Sequence, residues 1–105
     1  MDAVQYLCYT NSVRFEWDPR KARQNERKHG VSFEEARTAF YDPAARVMAD
    51  PEHSESEDRF LLLGMSSGLR LLLVCHCYRE HEELVRIISA RKATRKEAAQ
   101  YGGMR

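Results

Sequence analysis

Alternation and unbroken apolar runs mark five strands along the chain. Val13, Phe15 and Trp17 alternate with Arg14 and Glu16, the pattern of a half-buried strand. Val47 and Met48 indicate another over residues 45–49. Residues 59–66 and 69–78 are apolar runs separated by Ser67-Gly68, which predicts an antiparallel hairpin. The second run is apolar on both faces up to His76, as a strand covered on both sides requires. A last strand starts at Leu84 with the β-branched Val85, Ile87 and Ile88, and leaves the extended conformation at Ser89 and Ala90.

Helical signals fill the gaps. Asp18-Pro19 supplies a cap and a first-turn proline, and Gly30 a C-terminal stop. Burial of this helix rests on Trp17 and Ala22, with Asn25 and His29 on the same face; Arg20, Lys21, Arg23, Arg27 and Lys28 make the rest basic. Ser32 with Glu35, and Thr94 with Glu97, are capping boxes. The first opens a short helix through Phe33, Ala36 and Phe40 that stops before Asp42-Pro43; the second opens a helix running toward Tyr101. The order is β-α-α-β-β-β-β-α, an α+β fold with two N-terminal helices on a mostly antiparallel sheet and a C-terminal helix. Residues 1–12 show no period and are expected to be an extension to a single domain over 13–105.

Composition narrows the class. With 43% hydrophobic and 31% charged residues, the chain has the balance of a globular protein. No apolar run reaches the roughly 18 residues of a membrane helix, and the N-terminus lacks a signal-peptide layout, so a cytoplasmic protein is expected. Cys75 and Cys77 lie two apart on a strand, a spacing that suits neither zinc nor a redox pair; with Cys8 they are expected to be buried, reduced thiols. The net charge of +1 hides a segregation. Residues 50–58 hold five acids and no Lys or Arg, whereas from Leu84 onward Arg86, Arg91, Lys92, Arg95, Lys96 and Arg105 face Glu97 alone. A polyanion would be drawn to the C-terminal segment.

No glycine-rich phosphate loop, zinc-protease motif or nucleophile elbow is present. Polar residues instead cluster at strand ends: Arg59, His76, Tyr78, Arg79, Ser89 and Arg91. Hairpin geometry puts Arg59 and the 76–79 segment at one sheet edge; the place of Ser89 and Arg91 relative to it depends on twist and register. Such groups can deprotonate a ribose 2′-hydroxyl, stabilise a pentacoordinate phosphate and protonate a leaving oxygen, so metal-free RNA cleavage with no cofactor is expected. Lys28, His29, Arg86, Lys92, Arg95 and Lys96 are the candidate RNA-binding cations, and His53-Ser54 could join the site. Arg91 with the amides near Thr94 would form a phosphate site, so Arg91→Ala is expected to abolish activity and spare the fold. Against this stand plainer readings: a hydrogen-bonded structural His76, an Arg59 paired with the acidic loop, and a solvated basic run.

The motif Phe15-Glu16-Trp17-Asp18-Pro19, with Lys21-Ala22, Asn25 and the segment from Lys28-His29-Gly30 to Glu35-Ala36, resembles the N-terminal signature of the BrnT family of toxins. Asp50-Pro51-Glu52-His53-Ser54 with Glu57 and Arg59, and the segment from Arg86-Ile87-Ile88-Ser89 to Thr94 with Glu97 and Tyr101, resemble it too. Three separated motifs in order cover roughly residues 13–101. The resemblance implies a RelE-like fold and a metal-independent ribonuclease that arrests translation. It also implies a BrnA-type ribbon-helix-helix antitoxin that neutralises the toxin and through which alone operator DNA is bound. A non-catalytic nucleic-acid-binding module, or a toxin-derived interaction domain, is the competing expectation.

Overall fold

The computed structural model describes residues 4–7, 13–50, 58–81 and 83–101. Along the chain run β1 (Val4–Leu7), β2 (Arg14–Trp17), α1 (Pro19–His29), α2 (Phe33–Thr38) with a 3-10 turn (Ala39–Tyr41), β3 (Arg46–Ala49), β4 (Phe60–Met65), β5 (Leu71–Arg79), β6 (Leu84–Lys92) and α3 (Arg95–Ala98). The caps of α1 and α2 form where expected, but of the two predicted capping boxes only Thr94 with Glu97 is reciprocal, since the Glu35 carboxylate is taken by Arg70 and Ser66. Asp18 accepts from the Arg20 amide at 2.9 Å, Gly30 closes α1 at φ 71°, and Ser32 accepts from the Glu35 amide at 3.0 Å.

The sheet order is β1-β2-β6-β5-β4-β3, antiparallel throughout except that β2 and β6 run parallel. The result is a mixed-sheet α+β fold with three helices among the described residues. Phe15 and Trp17 of β2 meet Phe40 and Phe33 edge-on, with ring centres 5.1 and 5.8 Å apart. Leu62, Leu72, Val74, Val85, Ile87 and Ala90 complete this core from the sheet. Gly64 lets the 3-10 turn cross β4, since a Cβ there would lie 2.7 Å from the Ala39 carbonyl oxygen.

Four features depart from the sequence expectation. Val4–Leu7, inside the stretch without a period, pair antiparallel with β2 as an edge strand. The β4–β5 turn is not the two residues Ser67-Gly68 but the Ser66 to Arg70 loop, with the Ser66 amide donating to the Arg70 carbonyl and Leu69 held at φ 63°. Arg70 forks onto Glu35 and pins that turn to α2, which holds the Glu35 carboxyl below its ordinary range. β6 continues to Lys92 rather than ending at Ser89, because Ala90, Arg91 and Lys92 face Val74, Leu73 and Leu72 of the long β5. Finally, α3 is a single turn, tied down by Arg46 donating to the Gln100 carbonyl at 3.0 Å and Tyr101 donating to Asp42. Cys75 and Cys77 are buried thiols outside any disulfide. Cys8, Arg105, His53-Ser54 and most of the acidic loop lie outside the described residues.

Candidate active site

β5 outruns its neighbour. Its register with β4 ends at the Phe60–His76 pair, so Cys77, Tyr78 and Arg79 project past the start of β4. This overhang, Val47 of β3 and the turn after β5 form a cleft of about 650 Å³ lined by Val47, Asp58, Phe60, Cys77, Tyr78, Arg79, Glu80 and His81. Arg59 lies one residue outside the register, between Asp58 and Phe60 of the cleft wall. The structure therefore brings Arg59, His76, Tyr78 and Arg79 to one edge. His81 also faces the cleft, on a turn where Glu80 and His81 hold φ 54° and 58°. In the sequence it lies in the charged run Arg79-Glu80-His81-Glu82-Glu83 between two strands, where nothing singles it out.

His76 does not reach the cleft itself. It is 0% exposed, on the β5 face that carries Leu72 and Val74, boxed by Phe40, Phe60 and Tyr78 with ring centres 4.8, 6.2 and 5.0 Å away. Nδ1 lies 3.2 Å from the Val74 carbonyl oxygen, so the ring proton sits there and Nε2 is left as acceptor. Tyr78 Oη, 3.1 Å away, donates to it. Burial holds the ring neutral down to about pH 4. What the cleft sees is the phenol, its hydrogen turned inward and its lone pairs outward.

Beside the cleft is a charged cluster. Glu16 of β2 faces Arg86 across the parallel pair, accepts from it at 2.7 Å, and lies 4.0 Å from Arg79 Nε. Arg14 pairs with Glu80. Glu16, 13% exposed, thus holds two of the predicted cations, a role that strand alternation alone did not show. Only the β2–β6 pairing brings it there.

Ser89 and Arg91 sit elsewhere. Ser89 faces Cys75 and Arg91 faces Leu73, six residues from Arg79 along β5, or roughly 20 Å. The anion expected beside Arg91 is internal. Glu97 accepts both guanidinium nitrogens at 2.9 and 2.8 Å and also the Thr94 amide at 2.8 Å, so Arg91 first of all pulls the Glu97 carboxyl down to about 2. An acid with a depressed folded pKa stabilises above its unfolded value and loses that contribution below it. Docking of α3 should therefore hold from neutrality to about pH 4.5 and loosen toward pH 2, and Arg91→Ala should release it at pH 7. Backbone NMR shifts of residues 95–98 report this; shifts unchanged in the variant would contradict it. Lys92, Arg95 and Lys96 are exposed around α3, while Lys28, His29 and Ser89 border a separate cleft beside α1. No cluster of potential metal ligands occurs among the described residues.

The profile described as ribonuclease toxin, BrnT, of type II toxin–antitoxin system matches residues 17–97. The crystal structure of the Brucella abortus ribonuclease toxin BrnT superposes with a TM-score of 0.57 at 26% identity, covering 75% of this chain and 94% of that one. A search of curated proteins finds no match. With three-quarters of the chain inside the family match and the mixed sheet shared with a solved member, this chain belongs to the BrnT family, ribonuclease toxins of type II toxin–antitoxin systems.

Proposed function

We propose that the overhang cleft is where this chain cuts RNA, and that it does so without a metal ion. The observation that carries the reading is the convergence of Tyr78, Arg79 and His81 on one open strand end, backed by the His76 to Tyr78 hydrogen bond. Arg79 and Arg59 stabilise the charge of the pentacoordinate phosphate. Tyr78 accepts a hydrogen bond from the ribose 2′-hydroxyl, and His76 positions Tyr78. His81 takes the 2′-hydroxyl proton as the 2′-oxygen bonds to phosphorus. The bond to the 5′-oxygen breaks and solvent protonates it, leaving a 2′,3′-cyclic phosphate and a 5′-hydroxyl. The helices on a mostly antiparallel sheet read as RelE-like.

The partner in this reading is a BrnA-type ribbon-helix-helix antitoxin, and the setting is the cytoplasm. Among the described residues no helix is long and apolar enough to cross a membrane. Arg20, Arg23 and Arg27, on the α1 stripe turned from β6, contribute to antitoxin contact, with Glu52, Glu55 and Glu57 of the acidic loop. Reversing the three arginine charges should weaken the complex at low salt; equal affinity would remove them from the interface. For the activity, induction of the chain alone should arrest growth, co-expression of the neighbouring antitoxin should relieve it, and Arg79→Ala should not arrest. Unimpaired growth at confirmed wild-type expression would leave a non-catalytic binding or interaction domain.

A further inference from the structure

α1 carries two basic stripes, not one. At 100° per residue Arg20, Arg23 and Arg27 share one side, and Lys21 and Lys28, seven apart, share another that faces β6. The second stripe borders a cleft. β2 pairs with β6 only from Leu84 to Arg86, so the β6 edge beyond is open to α1. Asn25, 7% exposed, closes part of it by accepting from the Ala90 amide at 3.0 Å and donating to the Ala90 carbonyl at 2.8 Å. Just before Ala90 the β5–β6 register skips Ile88, a bulge that turns Ile88 and Ser89 toward α1. Between helix and bulge lies a cleft of about 270 Å³ lined by Lys21, Gln24, Lys28, His29 and Ser89 over Asn25 and Ile88.

The electrostatics of this cleft differ from those of the overhang. No carboxylate lines it, and no ion pair between its lysines and a described acid is present, whereas Arg79 and Arg86 share Glu16. Lys28 and His29 suit the C-terminal end of a helix, whereas Lys21 stands in the first turn beside Arg20, with Asp18 as the N-cap. The cleft is a polar, donor-rich hollow with a lysine toward each end of α1. Ser89 faces Cys75, four residues from Arg79 along β5, so the two clefts' phosphate-binding groups lie roughly 14 Å apart, within the span of a short single strand.

We propose that the α1–β6 cleft is a second phosphate subsite for single-stranded RNA, in which Lys21 and Lys28 hold a backbone phosphate away from the one that is cleaved and Ser89 and Gln24 donate to it. This rests on the reading of the overhang cleft as the cutting site, and it makes the footprint longer than one dinucleotide.

The test uses the full chain in chelator with two fluorescent probes, a ten-nucleotide RNA and a dinucleotide, each with 2′-O-methylribose throughout to block cleavage. Lys21→Gln/Lys28→Gln should bind the decamer at least tenfold more weakly and lower the slope of log K against log salt by about 1. Dinucleotide affinity and the melting temperature should not change, and Lys21→Arg/Lys28→Arg should restore decamer binding. Unchanged decamer affinity and slope would overturn the subsite. So would an equal loss for both probes, which marks a general field and not a site. Arg79→Ala separates the two claims: full cleavage by that variant defeats the overhang site, and the decamer-specific loss is read independently of it.

Discussion

Arg79→Ala should cut RNA about a hundredfold more slowly than wild type while melting at nearly the same temperature. The side chain is 47% exposed at the end of β5, so its removal leaves no cavity. A charge-assisted hydrogen bond to phosphate that strengthens in the transition state is worth on the order of 3 kcal/mol, which is that hundredfold. Arg79→Lys should recover only part of the rate, since an ammonium lacks the planar fork. Glu16 gives the effect a second handle. Glu16→Gln weakens the hold on both Arg79 and Arg86, so it should raise KM or lower kcat less than Arg79→Ala does, with Glu16→Asp between. Single-turnover cleavage by each variant measures this, and wild-type rates in Arg79→Ala would remove Arg79 from the site.

Acid should destabilise the protein through His76 well before carboxylates protonate. Folded, His76 stays neutral to about pH 4; unfolded, it binds a proton near its ordinary 6.5. Between these values the unfolded chain binds more protons, so the His76 contribution to stability falls as pH drops from about 6.5 to about 4 and is constant below, where the depressed carboxylates take over. The total is on the order of 3 kcal/mol, a large share of the stability of a domain this size. The groups that face the ring are Phe40, Phe60 and Tyr78, none of them able to stabilise an imidazolium by charge. His76→Phe removes the titration and keeps an aromatic ring in the box. Denaturant unfolding at pH 7, 5.5 and 4.5 should show wild type losing more stability than His76→Phe across that range. Parallel losses would mean that His76 is solvated in the folded state.

Local signals carried most of the architecture. Asp18, Gly30, Ser32 and Thr94 cap elements through chemistry within a few residues of themselves, and each does so in the fold. His76 shares a period of two with Leu72 and Val74, yet its place near the strand end put it among the candidate catalytic groups; its burial depends on Phe40 and Phe60, far along the chain. What stayed hidden depends on partners far along the chain. The parallel β2–β6 pair, which places Glu16 against Arg86, joins residues 70 apart. β6 keeps its extended form through Lys92 because β5 is there to pair with it, whatever its local composition suggests. Glu97 was legible as a capping residue but not as the anion that occupies Arg91, because one carboxylate serves both contacts only after the strand and α3 are placed. The overhang of β5 past β4, and with it His81, follows from a register that hydrophobic pattern does not set.

The most direct measurement of the central claim is end-group analysis of RNA incubated with purified, antitoxin-free protein in excess chelator. Wild type should cleave and leave 2′,3′-cyclic phosphate and 5′-hydroxyl ends, with Arg79→Ala about a hundredfold slower on the same RNA. Cleavage that stops in chelator and returns with magnesium, or fragments carrying 5′-phosphate ends, would contradict it.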